Sequence, residues 1–386
     1  MTAPAHRIGL LPADQQPQWP DRGQVELARA ALMARQALVS EVDVLALRAR
    51  LAAVAAGDAL VVQAGDCAED PAECAPDDVS RKAGMLDVLG GVLRMATGLP
   101  VLRVGRIAGQ YAKPRSSAVE PVDGRELPVY RGHLVNDPRP EESARVPDPS
   151  RLLHCHRSAS RIVAELGWTG THPGHVPQSQ VWTSHEALLL DYEVPQLRRV
   201  TDGWLLGSTH WPWLGARTRK LDGAHVALLA QVVNPVSCKV GPDLTAGALV
   251  ELCDRLDPSR EPGRLTLISR LGADLVRDRL PGLVAAVHAA GHPVIWLCDP
   301  MHGNTFTGPD GRKRRLVDRV VHEVRGFRAA VAEVGGVAGG LHLETTPDPV
   351  RECLSRVDDP GDPYTSLCDP RLNLDQAMTV VSAWRA

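Results

Sequence analysis

RLTLISR (264–270), LPGLVAAVHAAG (280–291) and PVIWLCDP (293–300) stand in succession, and their alternation decides the fold. The last is short and almost wholly apolar, and the first is short with Leu265, Leu267 and Ile268 at its centre and its charges only at the two ends. A strand with one wet face would alternate apolar and polar residues, so runs of this kind predict strands buried on both faces. The segment between them has apolar residues at three- and four-residue spacing, which predicts a helix. Strand, helix and strand at this spacing form a parallel βαβ unit. Working outward, the same rhythm recurs in ALVVQAG (59–65), PVLRVGRIAG (100–109), VWTSHE (181–186), GWLLGSTHW (203–211), NPVSCKVG (234–241) and GGLHLETT (339–346), with another helical stretch at AGALVELCDRL (246–256). Eight such runs predict an α/β fold of the (β/α)8 TIM-barrel type, with a doubly wound open sheet as the alternative.

The spacing is uneven. Residues 110–180, rich at first in Pro, Arg and Gly, predict an expanded βα-loop with a helix near 149–166. Residues 1–20 read as an arm, followed by helices near 23–38 and 41–56. The expected organisation is an N-terminal arm and helices (1–56) packed on a catalytic barrel (57–386), one domain overall.

Composition narrows the function. The 386 residues are 44% hydrophobic and 23% charged, an ordinary globular profile. Lys and Arg (43) nearly balance Asp and Glu (46), for a net charge of −3, so no basic field exists to hold nucleic acid. Aromatic residues are 4% of the chain, too few for base-stacking platforms. No stretch reaches the roughly 20 apolar residues of a membrane helix, and the N-terminus lacks the apolar core of a signal peptide. Eight Cys without a CxxC pair read as reduced thiols of a cytoplasmic protein.

Charged residues terminate most of the apolar runs: Gly65-Asp66-Cys67, Arg106, Lys239, Arg270, Asp299-Pro300-Met301-His302 and Glu344. In a barrel these ends converge on the catalytic mouth. Cys67, His302 and Glu344, joined by Asp369 of SLCDPRLN (366–373), are candidate ligands of a divalent ion such as Mn, Fe, Co or Zn. The plain alternative is a buried thiol acting as a small hydrophobe and a His capping a turn. Arg106, Arg217, Lys239 and Arg270 form a second, basic group. Gathered in one pocket they need an anion, and a small phosphorylated acid suits their geometry, while structural ion pairs are the alternative.

Three other features read as decoys. His154-Cys155-His156 lies on helical spacing with Leu152, Ala159 and Val163, so partly exposed His side chains on a helix are expected. Arg312-Lys313-Arg314-Arg315 reads as solvated surface, with phosphate capture as the alternative. Gly105 and Gly109 do not make a dinucleotide fingerprint and no P-loop pattern occurs, so no nucleotide cofactor is expected.

Taken together, GDCAE (65–69), RIAGQYAKPRS (106–116), SHEALLLDYE (184–193), GARTRKLDGAH (215–225), NPVSCKVGP (234–242), LTLISRLG (265–272), CDPMHGNT (298–305), GLHLETT (340–346) and CDPRLN (368–373) resemble the class II, plant-type 3-deoxy-D-arabino-heptulosonate 7-phosphate (DAHP) synthases. The motifs keep family order over roughly residues 20 to 384. The resemblance implies a metal-dependent transferase (EC 2.5.1.54) that condenses phosphoenolpyruvate with erythrose 4-phosphate and water, releasing phosphate, at the first step of the shikimate pathway. It implies Cys67, His302, Glu344 and Asp369 as metal ligands, Mn2+ foremost. Arg106, Ala216, Arg217, Lys239 and Arg270 are implied to hold phosphoenolpyruvate, and Lys113, Arg115, Ser116 and Asp299 erythrose 4-phosphate. Lys239, Glu186 and Arg106 are the implied catalytic groups.

Ala216 departs from the Glu that many class II members carry before this Arg. It is tolerated if the position contributes its backbone N–H, and costly if a side chain positions water. Length and the GSTHWPWLG segment (207–215) are most similar to short forms that feed secondary pathways such as phenazine biosynthesis. That similarity implies insensitivity to aromatic amino acid feedback and a homo-oligomer. Cys368 beside Asp369 implies a thiol close enough to Cys67 for oxidation to join them. An aminated tetrose phosphate as substrate and a non-catalytic sugar-phosphate sensor are the competing readings.

Overall fold

The computed structural model describes residues 3–122, 124–168, 180–308 and 310–385. Eight parallel strands close a barrel: β1 (Leu60–Gly65), β2 (Val101–Arg106), β3 (Val181–Glu186), β4 (Trp211–Leu214), β5 (Val236–Val240), β6 (Leu265–Ser269), β7 (Ile295–Cys298) and β8 (Ala338–Glu344). The eighth returns to the first, with Gln63 opposite His342 and Gly65 opposite Glu344. The expected TIM barrel is therefore the fold, and the open sheet is not.

One expected strand is misplaced. Within GWLLGSTHW, Gly203–Leu206 pairs antiparallel with Leu197–Val200 outside the barrel, and β4 begins only at Trp211. The reason is local. Pro212, which cannot donate to a ladder, weakens the signal of the true strand, whereas Trp204-Leu205-Leu206 reads as strand whichever sheet it joins.

Three helices precede the barrel: α1 (Ala3–Ile8), α2 (Arg22–Met33) and α3 (Glu41–Ala55). Helix α2 stops five residues before its expected end at 38, because Ala34 caps it and the chain turns to hydrogen-bond Leu38 N–H to the Gly207 carbonyl at 2.7 Å. Asp21 caps the α2 N-terminus and Ser40 that of α3. Leu47, Leu51 and Val54 of α3 are fully buried against Val61, Val104, Trp211, Ile268 and Leu297. Each such side chain contributes about 1.5–3 kcal/mol. The contact is close: a Cβ at Gly263, which stands at φ +82° just before β6, would lie 2.6 Å from the Ala52 nitrogen. Helix α3 thus covers the N-terminal ends of the strands and leaves the opposite mouth for chemistry.

The arm is tied down over that opposite mouth. Gln15 Oε1 accepts from Arg115 N–H at 2.8 Å, Gln16 bridges the Leu188 carbonyl and Leu190 N–H, and Trp19 donates to Asp191. The long loop after β2 carries a ribbon, Val119–Val122 with Arg125–Pro128, and a helix, Ser150–Glu165, close to the expected 149–166. Part of this loop, 169–179, lies outside the described residues.

Candidate active site at the C-terminal mouth of the barrel

Two carboxylates and a thiol meet above the strands. The donor atoms of Cys67, Glu344 and Asp369 lie within 4.8 Å of one another. Cys67 follows β1, Glu344 ends β8, and Asp369 comes from the loop after it. The Asp369 N–H donates to Cys67 Sγ at 3.3 Å. Burial, a hydrogen bond with Cys368 and the charge of Glu344 push the Cys67 thiol well above its ordinary pKa. His302 joins the group, its Nε2 3.3 Å from Glu344 Oε1. Asp299 Oδ2 sits 2.8 Å from the His302 Nδ1, which donates to it, so the Nε2 lone pair is turned toward the carboxylates. One thiol, one oriented imidazole and two carboxylates suit a borderline divalent ion, whose binding would displace the thiol proton. All four sequence-derived candidates are thus brought together.

Cations surround this acidic cluster. Arg106 donates to Glu344 Oε1 at 3.0 Å, and Lys113 lies 3.8 Å from the same oxygen and 3.6 Å from Asp369 Oδ2. Burial would raise the Glu344 pKa, but His302, Arg315 and Arg106 outweigh it and hold the group well below the carboxylate range. Lys239 Nζ sits 2.5 Å from Asp299 Oδ2. Burial pushes the Lys239 ammonium down to about 8, with Arg106 and Arg270 adding to the push and Asp299 resisting it. Asp299 is therefore engaged with Lys239 and His302. Burial works to raise its pKa, but those two partners hold it well below normal.

The remaining candidates are less enclosed. Arg270 is half-buried, with its Nε unpartnered and buried, and Arg217 and Ser116 are exposed. Arg115 is half-buried and paired with Glu120. Ala216 offers its carbonyl to Arg219, a side chain buried beside it that also holds Asp243 at 2.7 Å. Glu186 ends β3, and burial raises its pKa against the pull of Lys113 and Lys239. Its Oε1 is buried without a hydrogen-bond partner. A Cβ on Gly215 would fall against that oxygen and 2.7 Å from Cδ, so the glycine at the end of β4 makes room for the carboxylate.

Several functional-looking residues escape a reading of the sequence. Arg315, in the run expected to be solvated, is fully buried, as nearly is Arg314. Arg315 Nη1 donates to Glu344 Oε2 at 2.8 Å and to the Pro370 carbonyl, and Nε to Thr305 Oγ1 at 2.9 Å. It therefore ties together the segments that carry Glu344, Asp369 and His302. Only the strand Lys313–Leu316, paired with Cys353–Leu354, brings it inward. Glu69 of the GDCAE motif accepts the N–H groups of Ala108, Gly109 and Gln110 at 2.9, 2.9 and 2.7 Å, shaping the turn after Arg106. The His154-Cys155-His156 stretch is helical as expected, but only His154 is exposed; burial holds His156 at a pKa of about 4.

The sequence model described as the class-II DAHP synthetase family matches residues 5–169 and 156–383. A probable phospho-2-dehydro-3-deoxyheptonate aldolase of Pseudomonas fluorescens is 56% identical over 98% of this chain and 96% of its own length. The phospho-2-dehydro-3-deoxyheptonate aldolase of Streptomyces coelicolor is 41% identical over 95% of this chain and 93% of its own length. Among solved structures, a phospho-2-dehydro-3-deoxyheptonate aldolase from Francisella tularensis superposes with a TM-score of 0.56 over 94% of this chain and 97% of its own, at 15% identity, a likeness of fold alone.

Proposed function

We propose, from the premise that this chain belongs to the class-II DAHP synthase family, that it condenses phosphoenolpyruvate with erythrose 4-phosphate in a metal-dependent reaction. DAHP synthase activity accords with the family and with relatives matched over nearly their whole length. The observation that carries the finer reading is the meeting of Arg106, Lys113 and Lys239 with Cys67, His302, Glu344 and Asp369 at one mouth.

In this reading Arg106, Arg217, Lys239 and Arg270, with the Ala216 backbone, bind the phosphate and carboxylate of phosphoenolpyruvate. Lys113, Arg115 and Ser116 bind the tetrose phosphate, with Asp299 near a sugar hydroxyl. Charge pairing of this kind sets C3 of the enolpyruvate against the aldehyde carbon. A divalent ion held by Cys67, His302, Glu344 and Asp369 supplies Lewis-acid polarisation of the aldehyde oxygen. The C3–C1 bond forms as the aldehyde oxygen takes a proton. Water adds at C2 and loses a proton, then the C2–O bond to phosphate breaks and C2 becomes a ketone. Glu186, whose pKa is raised by burial, and Lys239 are the residues that hold and move those protons.

Phosphate release from phosphoenolpyruvate tests this directly. It is expected only with erythrose 4-phosphate present and is expected to stop on chelation and return on adding Mn2+. Release that persists after exhaustive chelation would remove the metal from the reading, and release only with an aminated tetrose phosphate would change the substrate. Adding Phe, Tyr or Trp to the same assay at sub-millimolar levels is expected to leave the rate unchanged, in keeping with supply of a secondary pathway. A homo-oligomer belongs to the same proposal. No helix among the described residues is long and apolar enough to cross a membrane, which accords with a cytoplasmic location.

The Lys239 value sets a pH dependence. Its protonated form binds the anion, so kcat/KM for phosphoenolpyruvate is expected to fall about tenfold per unit as pH rises beyond about 8. Bound substrate restores the proton, so kcat should decline only at higher pH. A kcat/KM that stays flat to pH 10 would exclude this role.

Oxidation offers a separate check. Cys368 directly precedes Asp369, whose N–H donates to Cys67 Sγ at 3.3 Å, so a disulfide-exchange oxidant is expected to join the Cys67 and Cys368 sulfurs and release any bound metal. Peptide mass spectrometry that finds both thiols free in oxidised, inactive protein would refute the pairing.

A further inference from the structure

One layer below the strand ends lies a set of polar side chains that the chemistry above does not use. Gln63 on β1, Ser184 on β3 and His342 on β8 are fully buried inside a barrel, where branched apolar residues are the usual filling. Their hydrogen bonds run one way round. Arg106 Nη1 lies 2.8 Å from His342 Nε2. A guanidinium only donates, so Nε2 accepts and the ring carries its proton on Nδ1. That Nδ1–H donates to Gln63 Oε1 at 2.6 Å, and Gln63 Nε2 donates to Ser184 Oγ at 3.0 Å. Ser184 donates in turn to the Gly105 carbonyl at 2.8 Å, and Gly105 precedes Arg106, which closes the circuit. Strand register puts the partners in place: Gln63 stands opposite His342, and Ser184 opposite Arg106. Trp213 walls the group, its ring edge-on to His342 at 5.2 Å between centroids and 5.4 Å from the Arg106 guanidinium.

We propose that His342 is a positioning residue for phosphoenolpyruvate: a neutral acceptor that, beside the Asp66 carbonyl and Glu344, fixes the third edge of the Arg106 guanidinium without adding a second negative charge to that of Glu344. A carboxylate in its place would hold Arg106 equally well but set a second anion beside it in addition to Glu344, leaving a net negative group to face the anionic substrate. An apolar side chain would leave a buried N–H unpaired. Gln63 and Ser184 select the tautomer in which Nε2 accepts. The proposal rests on the reading of Arg106 as a phosphoenolpyruvate contact.

Calorimetric titration of the Mn2+-loaded enzyme with phosphoenolpyruvate tests it, beside Mn2+ titration and the KM for erythrose 4-phosphate. His342→Leu is expected to weaken phosphoenolpyruvate binding by about 20-fold, the effect of one unpaired buried donor. Mn2+ affinity and the tetrose KM should stay within about threefold, a split that general loss of structure would not produce. His342→Gln, which returns an acceptor near the Nε2 position, is expected to recover binding to within about fivefold of the parent. His342→Glu is expected to bind as weakly as His342→Leu. Binding by His342→Leu at the parent level, or equal losses in the Leu and Gln variants, would overturn the proposal. Arg106→Gln separates the two readings. If it leaves phosphoenolpyruvate affinity unchanged, the assignment of Arg106 fails and the proposal with it; if it abolishes binding while His342→Leu does not, only the role of His342 fails. Should His342→Leu not fold, Gln63→Met keeps the imidazole but removes the acceptor of its Nδ1–H, together with the donor to Ser184. It is then expected to weaken binding by about fivefold, and unchanged affinity would overturn the proposal.

Discussion

Glu344→Gln is expected to lower turnover by at least about 10³-fold, or about 4 kcal/mol, and to destabilise the fold as well. Both effects come from the same position. The carboxylate is fully buried and its two oxygens are divided: Oε1 faces Arg106 and His302, and Oε2 faces Arg315. An amide keeps the shape but removes the charge, leaving fully buried Arg315 without its carboxylate. Breaking a buried pair from one side costs about 3–5 kcal/mol, a large fraction of an ordinary stability of about 5–15 kcal/mol. Metal affinity should fall with it, because one of four candidate ligands becomes a weak neutral donor. Turnover, calorimetric Mn2+ affinity and the unfolding midpoint in urea report the three effects. Turnover within tenfold of the parent would place the chemistry away from Glu344.

Gly215→Ala is expected to lower kcat by about 10²–10³-fold, or about 3–4 kcal/mol, while phosphoenolpyruvate affinity stays within a few-fold. The added methyl would meet the Glu186 carboxylate head-on, 2.7 Å from Cδ. Backbone at the end of a barrel strand yields less easily than a side chain, so the carboxylate moves. With its Oε1 unpartnered, nothing else on that oxygen holds it in place. If proton handling by Glu186 is what is lost, Glu186→Ala should lose a similar factor, and the double variant should lose little more than either single one. Additive losses would mean that Gly215 matters for a different reason.

The comparison between chain and fold is instructive at particular residues. The strand ends Cys67, Arg106, Lys239, His302 and Glu344 were legible, because apolar runs of strand length announce where a barrel strand stops, and barrel topology sends all those stops to one mouth. The helix at Ala246–Leu256 was legible for the same kind of reason, its apolar period. The true β4 was not, since Pro212 weakens its pattern and a better-looking run next to it belongs to an outer ribbon. Arg315 was hidden in a basic run, because charge clusters are ordinarily solvated and only an added strand turned this one inward.

By itself, then, the sequence determined the barrel, the order of its units and the residue types gathered at one end, since periodicity and strand-end chemistry are local properties. Tertiary structure alone decided which cation answers which carboxylate. Gln63 meets His342 across 279 positions of chain because the last strand closes on the first. Arg315 reaches Glu344 and Pro370, and Gly215 makes room for Glu186, only through packing between separate units. Such pairings depend on closure and register, which no single segment of the chain encodes.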